Sequence, residues 1–378
     1  MSILMLAIGF TPNIGGIETH FDDFLKITQK NKISLTVLTY QPLETRTKGE
    51  VLQRRPFVTV VRIPIIRGLF YRFVKYPFLE FLYLFPSLFI VTPFVLIVRN
   101  SKVIHAHGII AGFVGCIWAI VFRKKMIIST HSIYQFPKSS LYTNIACWVF
   151  QNADSVLALS RQSKNEIIAL GIPENKIKTF TYWVDQKVFL PLNKNTCRAL
   201  LKLDKKFIVL FVGRLVEEKG LIPLMVAASN WKDSICLLIA GVGPLEENVK
   251  KAALKNRNII FLGGISQESL PSVYNSADLL IVPSLNEEGF GRVIIEALSC
   301  GIPVVATNRG GVPEAMDNSV GKIIDITSEN IQKTIEYFYT HPNILREKAT
   351  NALKFAKLHY TENNANVILQ LYKQYSKK

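Results

Sequence analysis

Pro283–Glu314 reads PSLNEEGFGRVIIEALSCGIPVVATNRGGVPE, and its punctuation decides the fold. The apolar run Leu279–Val282 just before it has the length of a buried strand. It stops at Pro283 and gives way to a loop carrying Glu287, Glu288 and Gly289. The spacing then predicts a helix from about Gly291 to Cys300, ended by Gly301 with Pro303 beyond. A further apolar run, Pro303–Ala306, predicts the next strand. Strand, helix and strand in this order make a parallel crossover unit.

The same alternation extends in both directions. In the first half the strand candidates are Ile3–Ile8, Ile33–Thr39, Val58–Ile63, Val103–Ala106, Met126–Thr130 and Ser155–Leu159. In the second half they are Phe207–Val212, Cys236–Ala240, Ile259–Leu262, Leu279–Val282 and Pro303–Ala306. The series restarts after Asp185–Pro191, and Lys202–Lys206 is a polar break suited to a linker. The expected fold is α/β, with two Rossmann-like, doubly wound domains facing a cleft. Ligands in such sheets bind at the carboxyl ends of strands. The domains are read as 1–186 and 187–360, with a helical tail over 361–378 packing back on the first.

The bulk composition fits two globular domains: 378 residues, 49% of them hydrophobic. The net charge of +17 is concentrated. Between Val51 and Ala153 the sole acidic residue is Glu80, against Arg54, Arg55, Arg62, Arg67, Arg72, Lys75, Arg99, Lys102, Arg123, Lys124, Lys125 and Lys138. Such a surface favours anionic partners, lipid headgroups or nucleic acid. Cys116, Cys147, Cys197, Cys236 and Cys300 form no CxxC pair, which argues against a disulfide framework or a zinc site and for a reducing compartment. MSILMLAIGF lacks the charged start of a signal peptide and reads as a first strand. Phe78–Val98 is long and apolar enough to span a bilayer, but it contains Glu80, Pro86 and Pro93. It is read as a pair of buried or interfacial helices, with Phe81, Tyr83, Phe85 and Phe89 near lipid or in the core.

Glu288, on the loop, and Glu296, in the second turn of the helix, can serve one pocket. Carboxylates suit sugar and ribose hydroxyls. Gly289 and Gly291 leave the backbone open, and Gly291 offers an N–H at the positive end of the helix dipole. Upstream, FVGRLVEEKG follows a strand, so Arg214 and Lys219 lie on the connecting loop. Two fixed cations there can take up the charge of a diphosphate leaving group without a metal. Together these are the parts needed to hold a nucleoside diphosphate-sugar. Gly15 and Gly16 in PNIGGIETH make a close-approach anion loop, but the spacing from Gly9 does not fit a dinucleotide fingerprint. His105, His107 and His131 are read as ending strands, where they face the ligand side. No His, Asp or Cys cluster has metal spacing, and no DxD pair is present.

These motifs make the chain resemble glycosyltransferase family 4, the retaining enzymes with the GT-B fold that include glycosyl transferases group 1. The resemblance runs through the Gly15–Gly16 loop, HAHG at 105–108, Thr130–His131, ADSVLALS, Val184–Asp185 followed by VFLP, FVGRL..EKG, IAGVGPLE and the E-x7-E pair Glu288 and Glu296. It implies catalytic or sugar-facing roles for Glu288 and His131, and a diphosphate clamp of Arg214 and Lys219. Phe290 and Gly291 would be backbone donors, Glu296 a ligand of the ribose, and Gly15 and Gly16 an approach to the diphosphate. The expected reaction moves a sugar, with retention, from a nucleoside diphosphate-sugar to a hydroxyl, with no metal and no further cofactor. UDP is slightly favoured over GDP. The basic, aromatic first half points to a lipid-linked glycan acceptor at an anionic membrane, on the cytoplasmic face, in envelope or capsular polysaccharide synthesis. Tyr182-Trp183 replaces the Asn-Gly found in many relatives, and Arg309 adds a cation near the donor loop; both bear on substrate choice. The rivals are a GT-B nucleotide-sugar epimerase and a non-catalytic nucleotide-sugar-binding protein. Nucleic-acid binding would account for the charge alone and is not expected.

Overall fold

The computed structural model describes all residues except 14, 44–46, 67–71, 74–75, 139, 204–205 and 378, and the side chain of residue 77. Arg67, Lys75 and the middle of the Lys202–Lys206 break therefore lie outside the described residues. The chain divides into two compact units, Met1–Tyr182 with Glu362–Lys378, and Trp183–Thr361. The crossing falls somewhat before the 186/187 boundary of the sequence reading. Trp183 O accepts from Arg292 Nη1 at 3.3 Å and Val184 N donates to Tyr360 O at 3.3 Å, which ties both residues to the second unit.

Unit 1 is built on β1 (Ser2–Ala7), β2 (Ser34–Tyr40), β3 (Leu52–Arg55), β4 (Val58–Ile63), β5 (Val103–His107), β6 (Lys125–Ser129), β7 (Ser155–Ala158) and β8 (Ile177–Thr179). Their order in the sheet is β3-β4-β2-β1-β5-β6-β7-β8, parallel except for the β3–β4 hairpin at one edge. Ile3, Leu4, Met5 and Leu6 are all fully buried, as a central parallel strand covered on both faces requires. Helices α1 (Gly16–Lys30), α2 (Pro77–Arg99), α3 (Ile109–Val121), α4 (Leu141–Asn152) and α5 (Arg161–Ala169) supply the covering layers.

α2 corrects the sequence reading. It is one helix of 23 residues, not a pair, and it carries both Pro86 and Pro93 inside it. A proline withholds the N–H that the carbonyl four residues earlier would receive. For Pro93 that carbonyl is Phe89 O, and Trp118 Nε1 of α3 donates to it at 2.9 Å. For Pro86 it is the carbonyl of Leu82, a residue on the exposed side. Phe85 packs against Phe113 and Phe89 against Trp118, with the rings tilted. The basic stretch also needs correction at Arg62. Its side chain is buried, and it donates to the carbonyls of Glu50 and Thr11.

Unit 2 has β9 (Phe207–Val212), β10 (Ile235–Ala240), β11 (Ile259–Gly263), β12 (Leu279–Val282), β13 (Val304–Thr307) and β14 (Gly321–Ile324), all parallel, in the order β11-β10-β9-β12-β13-β14. Its helices are α6 (Lys194–Leu200), α7 (Leu221–Ser229), α8 (Glu246–Lys255), α9 (Leu270–Ser276), α10 (Arg292–Ser299), α11 (Val312–Ala315), α12 (Ser328–Thr340) and α13 (Pro342–His359). The last helix, α14 (Asn366–Ser376), belongs to unit 1, where Tyr372 Oη meets His105 Nδ1 at 2.6 Å and Tyr375 Oη meets Ser155 Oγ at 2.7 Å.

The two units share a device legible in the repeated Ala-Asp before a strand. Asp154 Oδ2 accepts from Met126 N at 2.8 Å, and its other oxygen pairs with Lys125. Asp278 Oδ2 accepts from Ile208 N at 2.7 Å and from Arg198 Nη2, and its other oxygen pairs with Lys194. Each carboxylate satisfies an N–H at the start of the neighbouring strand. Asp278→Ala leaves that N–H and the largely buried Arg198 without their shared acceptor. It should lower unfolding stability by about 3 kcal/mol, read from urea denaturation.

Candidate active site

In unit 2 the strand order reverses between β9 and β12. From β9 the chain proceeds outward to β10 and β11, and from β12 to β13 and β14. Helices leave to opposite faces at such a reversal and open a crevice at the carboxyl ends of the strands. The loops after β9, β12 and β13 meet there and are stitched through their backbones. Leu285 N donates to Glu218 O at 2.8 Å and Gly311 N to Glu288 O at 2.8 Å. Thr307 Oγ1 donates to Ser284 O at 2.7 Å. Two glycines allow this approach. A Cβ on Gly220, which has φ of 69°, would stand 1.8 Å from Pro283 O, and one on Gly311 would stand 2.3 Å from Gly289 O.

The stitching brings together residues far apart in sequence. Lys219, on the loop after β9, forms an ion pair with Glu288, on the loop after β12. Ser284 Oγ donates to the same carboxylate oxygen. Arg214 is exposed on the Lys219 loop. Phe290 is buried, and Gly291 adopts φ of 74° as it caps α10. Arg309 is exposed on the loop after β13 that is bonded to Glu288 O.

Glu296 is seated more deeply. It is 3% exposed, and Arg292 Nε and Tyr274 Oη donate to its two oxygens, each at 2.8 Å. The structure thus surrounds the two glutamates with Ser284, Tyr274 and Arg292, which the sequence reading did not single out. Arg292 lies one helical turn before Glu296, so the i,i+4 spacing was available as a signal. Tyr274 comes from α9, and nothing local announces it.

Unit 1 has a corresponding reversal between β1 and β5. Gly15 and Gly16 begin α1 after β1. Gly15 is extended, with φ of 177°, so its backbone does not demand glycine. A Cβ there would meet only the tip of the Glu18 side chain, with Oε2 at 2.4 Å, which can swing aside. At the ends of β5 and β6, His107 Nδ1 and His131 Nε2 share a hydrogen bond of 2.8 Å, and His131 Nδ1 meets Tyr182 Oη at 2.8 Å. His20 of α1 packs against both, its ring centroid 4.4 Å from Tyr182 and 5.8 Å from His131. His105 does not end its strand and does not face ligand. It is fully buried between Tyr372 Oη and Ser129 Oγ, with both ring nitrogens engaged. Among the described residues, no group of three or more His, Cys, Asp or Glu side chains is arranged to hold a metal.

Residues 14–187 match the family model described as Glycosyltransferase Family 4, and residues 194–355 match Glycosyl transferases group 1. The chain belongs to glycosyltransferase family 4. It is 23% identical to the phosphatidylinositol N-acetylglucosaminyltransferase GPI3 subunit of Saccharomyces cerevisiae (strain YJM789), over 94% of this chain and 78% of that one. It is 28% identical to an uncharacterized 41.2 kDa protein in the cps region of Klebsiella pneumoniae, over 76% of this chain and 83% of that one. The solved structure of Anabaena Alr3699/HepE in complex with UDP superposes with a TM-score of 0.78 at 21% identity, covering 100% of both chains. Sucrose-phosphate synthase from Thermosynechococcus elongatus gives 0.82 at 20% identity, covering 99% of this chain and 98% of that one. The fold of this family 4 protein is GT-B, and it is a glycosyltransferase of that type.

The histidines of this glycosyltransferase give its stability a pH dependence. Burial pushes His105 and His131 down to about 3, and His107 well below the ordinary histidine range. The unfolded chain takes up those protons near pH 6.5, while the folded chain does not. The folded state therefore loses ground as pH falls from about 6.5 toward 3, by ~1.4 kcal/mol per pH unit for each such histidine. Urea unfolding at pH 7.5, 6.0 and 5.0 should show this loss, and His105→Gln should make the slope shallower by the share of one histidine.

Proposed function

We propose that the protein is a retaining, metal-independent hexosyltransferase that moves a sugar from a nucleoside diphosphate-sugar to a hydroxyl of a lipid-linked glycan. The observation that carries the reading is the Lys219–Glu288 pair at the strand reversal of unit 2, with Arg214 on the same loop as the lysine. Glu288 faces the transferred sugar, and Lys219 bridges that carboxylate and the diphosphate. As the bond from the sugar to the diphosphate breaks, Arg214 and Lys219 take up the charge that collects on the leaving group. The acceptor oxygen attacks from the side of the leaving group, and its proton departs with the diphosphate. Phe290 and Gly291 offer backbone donors, and Glu296, held by Arg292 and Tyr274, receives the ribose hydroxyls. Gly15, Gly16 and His131 belong to unit 1, to which this reading gives the acceptor. No further cofactor is required.

UDP is favoured over GDP. HepE has been solved in complex with UDP and with UDP-glucose, which supports the choice. The acceptor class and an envelope or capsular pathway are supported by relatives named for phosphatidylinositol and inositol phosphate glycosylation and for a cps region. A cytoplasmic enzyme, peripheral on the inner face of the plasma membrane, fits that acceptor.

A thermal-shift screen with UDP, GDP and ADP, each as diphosphate and as diphosphate-sugar, tests the donor site. A nucleotide at ~100 times its dissociation constant adds about 2.7 kcal/mol of stability. UDP ligands should raise the melting temperature of the parent, and the rise should vanish in Arg214→Ala. Lys219→Ala should lower kcat by roughly 10²- to 10³-fold, read as sugar transfer to a lipid-linked acceptor. Glu296→Ala is the less clean variant, because it strands buried Arg292 and should destabilise the fold by about 3 kcal/mol. No shift with any nucleotide would remove the donor-site reading.

A further inference from the structure

We propose that α2 and the cationic hollow at its carboxyl end dock unit 1 onto an anionic phospholipid surface, with α2 lying in the plane of the interface rather than crossing it. The inference rests on the lipid-linked acceptor reading and identifies the surface that would bring unit 1 to such an acceptor. The first observation is a stripe. Phe78, Leu82, Ile90, Phe94 and Val98 repeat at helical spacing along the whole of α2, and each is exposed, Val98 to 78%. Contiguous exposed apolar surface of that length marks an interaction site. The opposite side is occupied: Leu84, Leu88, Thr92 and Leu96 are buried against unit 1. A helix held along one side by its own domain can offer lipid only the other side, which is the geometry of an interfacial helix.

The second observation is independent of the stripe and contiguous with it. Asn100, the left-handed cap of α2, also lines a cavity of about 390 Å³ together with Lys102, Lys373, Ser376 and Lys377. Among the described residues that line this cavity, none carries a side-chain carboxylate. The Ser376 hydroxyl is buried and has no hydrogen-bond partner among the described residues, and Lys102 Nζ donates to Ser376 O at 3.3 Å. Ammonium groups so placed are the complement of phosphate oxygens. Arg123 and Lys124 precede β6 at the same amino-terminal end of the sheet as Lys102, where Lys125 N bonds to Lys102 O. Glu80 is the one carboxylate on α2, and burial raises its pKa toward the neutral form.

Charge decides among occupants. A second copy of this chain on the stripe would set these cations against their own counterparts, which repel. Free phosphate would use the cavity and leave the stripe wet. An anionic bilayer satisfies both features at once, with apolar side chains below the headgroups and lysines at their phosphates.

The test is co-sedimentation of the full chain with vesicles of phosphatidylcholine alone or mixed with phosphatidylglycerol, at low and high salt. The parent should pellet with the mixed vesicles at low salt and be released at alkaline pH as a peripheral protein is. Ile90→Glu with Phe94→Glu, and separately Lys102→Glu with Lys373→Glu, should each weaken binding by at least about tenfold. All four positions are exposed, and the UDP thermal shift of the variants should match the parent, which separates lost docking from lost folding. Failure of the parent to bind mixed vesicles overturns the proposal. So does parent-level binding by either double variant, resistance to alkaline extraction, or a stripe-dependent dimer that ignores vesicles. Loss of the nucleotide shift with vesicle binding intact would overturn the donor reading and leave the docking surface standing.

Discussion

Pro283 O and Gly289 O occupy positions where a side chain on Gly220 or Gly311 would otherwise begin. The loops after β9, β12 and β13 reach each other only because those two positions carry hydrogen alone. Backbone-to-backbone contact at this range leaves no room for rotamer adjustment, so the loops behave as one rigid rim. The rim fixes Lys219 against Glu288 and sets Gly291 at the start of α10. A parallel sheet with a strand reversal supplies a crevice in any sequence. The glycine contacts turn this crevice into a site of defined geometry.

The two glutamates of that site are held in different ways. Glu288 is bound by half-buried Lys219 and by Ser284, both on the loops of the rim. Glu296 is locked between Arg292 and Tyr274 in the interior, and Arg292 in turn holds the carbonyl of Trp183. Burying such a pair needs good geometry on every side, and removing one member leaves the other charged and dry. Glu296 therefore connects the pocket to the start of the unit, whereas Glu288 is held only by side chains of the neighbouring loops.

The sequence disclosed what is buried on both faces and concealed what is not. Central strands such as Ile3–Leu6 are unbroken apolar runs and were legible. β3 is Leu-Gln-Arg-Arg at an edge, β8 is Ile-Lys-Thr, and β14 is four residues with an exposed Lys322; none has an apolar signature to read. The rule that proline breaks a helix failed at Pro93 because its remedy, Trp118, lies on another helix. At the site, Lys219 and Glu288 could be picked out as charged residues on glycine-bearing loops after strands. Their pairing could not, since it depends on the order of strands in the sheet. His105 was misjudged by two residues: β5 continues to His107, so the first histidine faces the interior and the second the strand end.

The bond from Trp118 to Phe89 O has a mechanical consequence. It exists because Pro93 withholds its own N–H, so the helix and its neighbour each satisfy a group that the other leaves bare. Peeling α2 away from α3 would expose an orphan carbonyl and an orphan indole together, a penalty of about 2–6 kcal/mol in a dry setting. Proline, which ordinarily loosens a helix, here acts as a latch that keeps a very apolar segment fastened to its own domain.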